Sequence, residues 1–180
     1  MNYGQQQNER VKNQIVDGLF SELKERPFSE IRIASLIKTA GVGRTSYYRN
    51  FDSKEEILSY YLNSLVEKRM AEGRPTEWTK QSVPADLEKI FSFFQMEKER
   101  FLLLFNSGLS AYIFDFFRSI PNSERAQNDK FQNTPYLIPF FTGAMPSVLF
   151  EWLKKDTPES PQEMAQIVTE LLPPVFFSDD

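Results

Sequence analysis

The fold is decided by the stretch from Ile31 to Lys54, which reads Ile-Arg-Ile-Ala-Ser-Leu-Ile-Lys-Thr-Ala-Gly-Val-Gly-Arg-Thr-Ser-Tyr-Tyr-Arg-Asn-Phe-Asp-Ser-Lys. Apolar residues recur at spacings of three and four in both halves, which predicts two short helices over about residues 32–39 and 44–50. The two patterns meet at Gly41, a residue that accepts positive φ without a steric clash. Two helices joined by such a turn form a helix-turn-helix unit, whose second helix enters the major groove of DNA. Short helical hairpins also occur in structural bundles, so the spacing alone leaves both interpretations open.

The identities of these residues carry more information than their spacing. The informative positions are Ala40-Gly41-Val42, Tyr48, Phe51, Ser53-Lys54 and Leu58. Together they resemble the DNA-binding signature of the TetR family of transcriptional regulators, and the resemblance extends from about residue 10 to residue 62. It implies an all-α fold of about nine helices. An N-terminal three-helix helix-turn-helix domain would span residues 1–53, and a C-terminal helical domain for ligand binding and dimerisation would span residues 54–180.

The resemblance also implies which residues face DNA. Tyr48 and Lys54 are expected to contact phosphates, and the others are candidates for base or phosphate contacts. The predicted DNA-binding residues are Lys38, Gly43, Arg44, Thr45, Ser46, Tyr47, Tyr48, Arg49 and Lys54.

Some positions depart from the family pattern. Gly43 stands where the family usually has a Ser or Thr that caps the second helix. Glycine is accepted at this position but has no side-chain oxygen to accept a hydrogen bond from the helix. The family's usual Thr before the first of the two helices is Arg32. These departures keep open an alternative function, that of a protein-interaction coregulator with the same fold that has lost specific operator binding.

The composition disfavours catalysis. The chain of 180 residues contains no Cys and no His, which excludes disulfides, Cys-His and Ser-His-Asp sites, and zinc sites that need imidazole or thiolate ligands. Sites built only from carboxylates remain possible, but no paired spacing indicates one. We therefore expect no enzyme activity, no metal and no cofactor.

The start and the apolar runs of the sequence indicate a cytoplasmic location. The N-terminus is polar and lacks the order of charged and apolar segments found in a signal peptide. No apolar run approaches the roughly 18 residues that a membrane span needs. We expect no membrane partner.

Charge is distributed unevenly along the chain. The net charge is −4, but residues 1–64 hold nine Lys and Arg against eight Asp and Glu, or +1, which leaves −5 for the rest. Screening confines electric fields to about 8–10 Å. A local basic face can therefore serve DNA phosphates on an acidic protein.

Two features are predicted for the N-terminal domain. The first helix should run from about residue 9 to residue 26, with the residues from Gln5 to Asn8 frayed. Gly18 lies inside this helix, where it costs about 1 kcal/mol relative to Ala. We therefore expect it at a close crossing of two helices.

The C-terminal part is rich in Phe, with fourteen of seventeen after residue 90. Most must form the core, and a minority are predicted to line a pocket for a largely apolar effector. The candidates are Phe94, Phe105, Tyr112, Phe141 and Met145. The markers Phe140-Phe141-Thr142-Gly143, Trp152-Leu153 and Ser160-Pro161-Gln162-Glu163 resemble a C-terminal domain in one branch of the family, which includes regulators similar to the dihydroxyacetone-kinase activator.

The last two predicted helices, residues 136–155 and 161–172, have more apolar surface than one core face needs. Large apolar patches mark interfaces, so we expect a homodimer. The candidate interface residues are Val148, Leu149, Trp152, Ile167, Val168 and Leu171. The sequence thus favours a ligand-responsive repressor that binds a double-stranded DNA operator as a homodimer.

Overall fold

A computed structural model of the chain describes residues 3–71, 79–119 and 136–177, and all regular structure in these ranges is helical. The all-α prediction is confirmed. The nine α-helices of the described ranges are α1 (Tyr3–Glu25), α2 (Ile33–Ala40), α3 (Arg44–Asn50), α4 (Lys54–Ala71), α5 (Ser82–Met96), α6 (Lys98–Asn106), α7 (Ser110–Ser119), α8 (Leu137–Lys154) and α9 (Pro161–Leu171). Two 3₁₀ turns are described, Phe28–Glu30 and Pro174–Phe176. The sequence predicts a break at residues 72–76, where Gly73 and Pro75 stand close together, and a polar loop at residues 121–134. Both stretches lie outside the described residues.

The chain folds into two compact units. The first, here called the N-terminal unit, consists of Met1–Ser64 and Leu103–Tyr112. The second, here called the C-terminal unit, consists of Leu65–Leu102 and Ile113–Asp180. The helices α4, α6 and α7 each contribute residues to both units. The boundary between residues 53 and 54, which rests on family resemblance, stays a prediction.

The core of the N-terminal unit forms where α1 packs against α2 and α3. Ile15 and Leu19 of α1 are completely buried. The helix begins at Tyr3, so the prediction that the residues from Gln5 to Asn8 are frayed is wrong. That stretch contains no proline, and glutamine loses little side-chain freedom in a helix. The hydroxyl of Tyr60 on α4 donates to the carboxylate of Glu9 at 2.7 Å, which attaches α1 to α4.

Gly18 lies at a close helix crossing, as predicted. A Cβ atom at Gly18 would lie 2.7 Å from the Cβ of Ala40 and 3.0 Å from its Cα. Ala40 is the last residue of α2. Only glycine lets α1 and the end of α2 approach this closely, so Gly18 sets the position of the helix-turn-helix on α1.

The core of the C-terminal unit is aromatic. The ring of Phe94 lies 4.7 Å from that of Phe101 and 5.7 Å from that of Phe117, measured between centroids. Phe91 meets Trp152 edge to face at 5.2 Å. Helix α5 carries Phe91 and Phe94 and packs against α8 and α9.

Hydrogen bonds define where α9 begins, and an unusual turn separates it from α8. Helix α9 begins with a capping box in which Ser160 accepts from the N–H of Glu163 at 3.2 Å, while Glu163 accepts from the N–H of Ser160 at 2.7 Å. The turn before it contains Asp156 and Thr157, both with positive φ. The carboxylate of Asp156 pairs with Lys98 at the start of α6, which links the turn to that helix at the surface.

Candidate DNA-binding surface

The turn between α2 and α3 is built around Gly41. Its φ of 66° and ψ of 29° are left-handed, a conformation that glycine adopts without a Cβ penalty. The N–H of Gly41 donates to the carbonyl of Lys38 and that of Val42 donates to the carbonyl of Ile37, both at 3.2 Å. These bonds satisfy the last carbonyls of α2 and aim the chain into α3. The predicted second helix is confirmed with its bounds, residues 44–50.

Tyr47 anchors α3 in the core. Its side chain is completely buried, and its ring lies 5.2 Å from that of Tyr48 and 6.5 Å from that of Phe51. Burial, followed by repulsion from the charges of Tyr48 and of the carboxylates Glu55, Glu56 and Asp52, raises the pKa of Tyr47 to about 12. The prediction that Tyr47 contacts DNA is wrong, because a side chain without exposed surface cannot reach a phosphate.

The opposite side of α3 is exposed. It carries Arg44, Thr45, Tyr48 and Arg49, and Tyr48 exposes 46% of its surface. The guanidinium of Arg44 lies over the ring of Tyr48, 5.7 Å from its centroid, within the range of a cation–π contact. The helix thus presents two guanidinium groups, a phenol and a hydroxyl on one surface, here called the α3 face.

The remaining predicted residues lie around this helix. Lys38 is exposed in the last turn of α2, and Gly43 is the exposed N-cap of α3 without a side-chain capping bond. Ser46 is half-buried, and its carbonyl accepts from the side chain of Asn50 at 2.8 Å. The backbone N–H groups at the start of α3 therefore have no side-chain cap from Gly43.

Lys54 has a structural role that the sequence did not indicate. Its ammonium donates to the carbonyl of Phe28 and, at 3.1 Å, to the carbonyl of Ile31. It also lies 4.5 Å from the centroid of the Phe28 ring. Since an ammonium has three donors, one remains for a phosphate. A substitution here would therefore alter the segment before α2 as well as any contact with DNA.

Glu22 holds α2 in place and was missed by sequence reasoning. It is a buried carboxylate on α1 that accepts from the hydroxyls of Thr39 and, at 2.7 Å, of Ser35. Arg26 pairs with it at 3.2 Å. The hydrogen bond from Thr39, followed by that from Ser35, lowers the pKa of Glu22 below its ordinary value. The sequence hints at this role only in that Glu22 stands next to Leu23, among the apolar residues of α1.

The predicted effector-site residues fall in both units. Phe105 and Tyr112 belong to the N-terminal unit, whereas Phe94, Phe141 and Met145 belong to the C-terminal unit. Phe94 and Met145 are buried, 5% and 3% exposed, and Phe94 packs among other rings as a core residue does. The five-residue pocket stays a prediction.

The predicted dimer residues divide into two groups. Leu149, Trp152 and Val168 are buried within the protomer, so their assignment to a dimer surface is wrong. They are covered by neighbours in the same chain, as Trp152 is by Phe91. Ile167 and Leu171 are 42% and 67% exposed, and Val148 is half-buried.

The described part of the chain has neither a cluster of metal-binding side chains nor a membrane-spanning helix. It contains no group of three or more Asp, Glu, His or Cys residues placed to hold a metal ion. None of its helices is long and apolar enough to cross a membrane.

Comparison with protein families gives the decisive match. Residues 81–173, more than half of the chain, match a TetR family profile described as a transcriptional regulator C-terminal region. The chain belongs to the TetR family. The matched region is one found in transcriptional regulators, and the TetR family is not an enzyme class.

Known relatives agree with this assignment. The HTH-type transcriptional regulator EthR of Mycolicibacterium smegmatis is 28% identical over 123 residues, which are 68% of this chain but only 48% of that protein. The chain thus covers about half the length of this relative. A TetR transcriptional regulator from Streptococcus agalactiae 2603V superimposes with a TM-score of 0.61 at 18% identity, over 93% of this chain and 96% of that one. The fatty acid degradation regulator FadR of Bacillus halodurans gives 0.62 at 17% identity, over 92% and 94%. At these identities the two structures establish a shared fold.

Proposed function

We propose that this regulator binds a double-stranded DNA operator as a homodimer in the cytoplasm and represses transcription until a small apolar effector occupies its C-terminal unit. The DNA-binding part of the proposal rests on one observation: one side of α3 is buried and the other side is exposed. Tyr47 fixes one side in the core, while Arg44, Tyr48 and Arg49 are exposed on the other. A recognition helix needs both properties, because base readout depends on a rigid element that presents donors to the groove.

Arg44 is the best candidate for base contact on the α3 face. Its guanidinium is already placed over the ring of Tyr48, so less side-chain freedom is lost on binding. An arginine that pairs with guanine contributes about 1–3 kcal/mol of discrimination. Tyr48 would both hold Arg44 and donate its hydroxyl to a phosphate.

The experiment selects duplexes from a random library with the full-length chain and measures the affinity of the selected duplex by fluorescence anisotropy. Arg44→Ala should weaken binding about 10- to 100-fold and relax the selected sequence at one position. Lys89→Ala removes another exposed positive charge, on α5, and should bind like the wild type. Tyr48→Phe should weaken binding of all duplexes alike, because phosphate contacts carry no base information.

The coregulator alternative predicts a different result. Gly43 gives α3 no side-chain cap, and this is the observation that favours it. If the library yields no enriched duplex while the chain remains folded, operator binding is refuted and the coregulator function is supported.

The homodimer part of the proposal is supported by exposed apolar residues on α9. Ile167 and Leu171 are four residues apart and therefore lie on the same side of the helix. Two half-sites of an operator lie about 34–36 Å apart, and a two-fold dimer is what holds two recognition helices at such a spacing. The exposed Ile167 and Leu171 side chains would be covered by their counterparts in the partner.

Light scattering at micromolar concentration tests this surface. The wild type should be a dimer, and Leu171→Glu should be a monomer because burying an unpaired carboxylate is costly. Gln166→Glu introduces the same charge at an exposed position of the same helix and should remain dimeric. A monomeric wild type, or a Leu171→Glu variant that still dimerises, would reject this interface.

A further inference from the structure

The turn between α1 and α2 holds an open polar cleft. Its volume is about 680 Å³, and it lies entirely within the N-terminal unit. The lining residues are Arg26, Ser29, Glu30, Arg32 and Ser35. We call it the turn cleft. Sites for neutral small molecules are lined mainly by apolar and aromatic side chains, whereas every side chain here is charged or carries a hydroxyl. The chemistry of the lining therefore selects a charged ligand.

The backbone directs Glu30 and Arg32 to the same side of the chain. Ile31 and Arg32 have extended backbone, with ψ angles of 115° and 141°, and successive side chains of an extended chain point in opposite directions. Ile31 points into the core, where it is buried, so the side chains before and after it point outwards. The exposed side chain of Arg32 forms no hydrogen bond or ion pair with any residue that the structure describes. Its donors are available to a ligand.

Arg26 is held in place by the buried carboxylate of Glu22. Its Nε lies 3.2 Å from that carboxylate, and this pair uses one of the five N–H donors of the guanidinium. The Nη groups of Arg26 are not part of the pair. Because the side chain is already held, less of its freedom is lost when a ligand binds. Ser35 donates its hydroxyl hydrogen to the same carboxylate at 2.7 Å, so the donors of the cleft come from the two arginines and Ser29.

A third cation is attached to the same turn. The ammonium of Lys54 donates to the carbonyls of Phe28 and Ile31, which stand on either side of the lining residues Ser29 and Glu30. Two carboxylates, Glu22 and Glu30, oppose the three cations and leave a formal charge of +1 around the cleft. The sign of this charge favours an anion.

We infer that the turn cleft binds a phosphate group, with Arg26 and Arg32 as its ligands. A guanidinium forms two parallel hydrogen bonds to neighbouring oxygens of a phosphate or a carboxylate. A carboxylate has only two oxygens and is satisfied by one guanidinium, whereas a phosphate has oxygens for two. Glu30 repels such a ligand and so limits its affinity.

The phosphate group has two possible sources with the same chemistry, the DNA backbone and a free phosphate compound. With the DNA backbone as the source, the inference rests on the proposed operator binding and adds a contact outside the α3 face. With a free phosphate compound as the source, it is independent of operator binding. The two tests below separate these sources.

The first test titrates the full chain, without DNA, with inorganic phosphate and with pyrophosphate at constant ionic strength, and follows the melting temperature and the phosphorus NMR signal. Arg32→Ala should weaken binding at least about tenfold, the usual cost of a lost charge-assisted hydrogen bond. Glu30→Gln should tighten binding, because it removes the repelling carboxylate. Lys24→Ala removes an exposed positive charge of α1 that does not line the cleft and should bind like the wild type.

The second test measures the affinity of a duplex selected with the wild type at several KCl concentrations. If Arg32 contacts the DNA backbone, Arg32→Ala should weaken all duplexes alike and reduce the slope of log affinity against log salt by about one. Glu30→Gln should tighten binding, and Lys24→Ala should keep the slope of the wild type.

The combined results decide both the inference and the source. Free phosphate binding that depends on Arg32, with an unchanged salt slope, assigns the cleft to a free phosphate compound. A reduced slope without free phosphate binding assigns it to the DNA backbone. A folded Arg32→Ala variant that matches the wild type in both tests overturns the inference. If no duplex is selected, operator binding fails separately and the first test decides, since a wild type that binds neither phosphate nor pyrophosphate then overturns the inference.

Discussion

The crossing at Gly18 gives the sharpest stability prediction. Substitution by Ala adds a methyl group that would lie 2.7 Å from the Cβ of Ala40 and 3.0 Å from its Cα and N atoms. Carbon atoms in favourable contact are about 3.5–4.0 Å apart, so α1 and α2 must separate by roughly 1 Å. Two of the three obstructing atoms are backbone atoms and cannot rotate away. The overpacking penalty should therefore lie near the top of the usual range, about 3 kcal/mol.

Helix propensity opposes this penalty. Replacing an interior helical glycine by Ala contributes about 1 kcal/mol of stability. The net effect of Gly18→Ala is therefore a loss of about 2 kcal/mol in the free energy of unfolding. Gly143 is the matched control, because it lies inside α8 and a Cβ there meets no described atom within 4 Å. Gly143→Ala should stabilise the protein by about 0.5–1 kcal/mol.

Urea unfolding followed by circular dichroism and by tryptophan fluorescence measures both variants. Trp152 is buried in the C-terminal unit, so its fluorescence reports that unit while circular dichroism reports the helices of both. Ala40→Gly should reduce the cost of Gly18→Ala, since it removes the closest contact. If Gly18→Ala stabilises the protein as Gly143→Ala does, the crossing is looser than described and the reasoning fails.

Two further predictions concern buried polar groups of the N-terminal unit. Glu22→Gln should lower the free energy of unfolding at pH 7 by about 1–3 kcal/mol, since it removes a charged acceptor. Because the pKa of Glu22 is lowered in the folded state, its contribution is complete above the unfolded pKa of about 4.3 and is lost as pH falls through the folded pKa. Urea titrations from pH 7 to pH 3 should show the two proteins converging, and a constant difference would contradict this. Tyr47→Phe should keep or increase the melting temperature, because the buried Tyr47 hydroxyl has no hydrogen-bond partner among the residues that the structure describes. A clear decrease would mean that this hydroxyl has a partner in solution.

The helix-turn-helix was largely predictable because its signals are local. The apolar spacing and Gly41 predicted the bounds of α3 and the turn before it. The cost of glycine inside a helix predicted that Gly18 lies at a close crossing of two helices. Tyr47 and Tyr48 are adjacent in the sequence, but only the structure shows that Tyr47 is buried and Tyr48 exposed. Family resemblance had assigned both to DNA.

Long-range partners could not be read from the sequence. Periodicity marked Trp152 and Val168 as apolar but could not say whether the same chain or a partner covers them, and the structure places both in the protomer's own core. Glu22 and Lys54 depend on contacts with residues far along the chain. Phe176 follows two prolines and belongs to no periodic pattern, so its contact with Phe141 was not foreseeable.

The N-terminal unit is built from two separate stretches of chain, and this affects how the protein folds during synthesis. Its residues come from two pieces of chain, Met1–Ser64 and Leu103–Tyr112, with residues 65–102 between them. Domains generally fold as units during synthesis, starting from the N-terminus. Here the ribosome must extend the chain past residue 112 before the unit that carries the α3 face has all its parts. Bringing the two pieces together across residues 65–102 costs chain entropy, which is offset only when the contacts between the pieces form. A fragment that ends at Ser64 therefore lacks the part of the N-terminal unit that residues 103–112 supply.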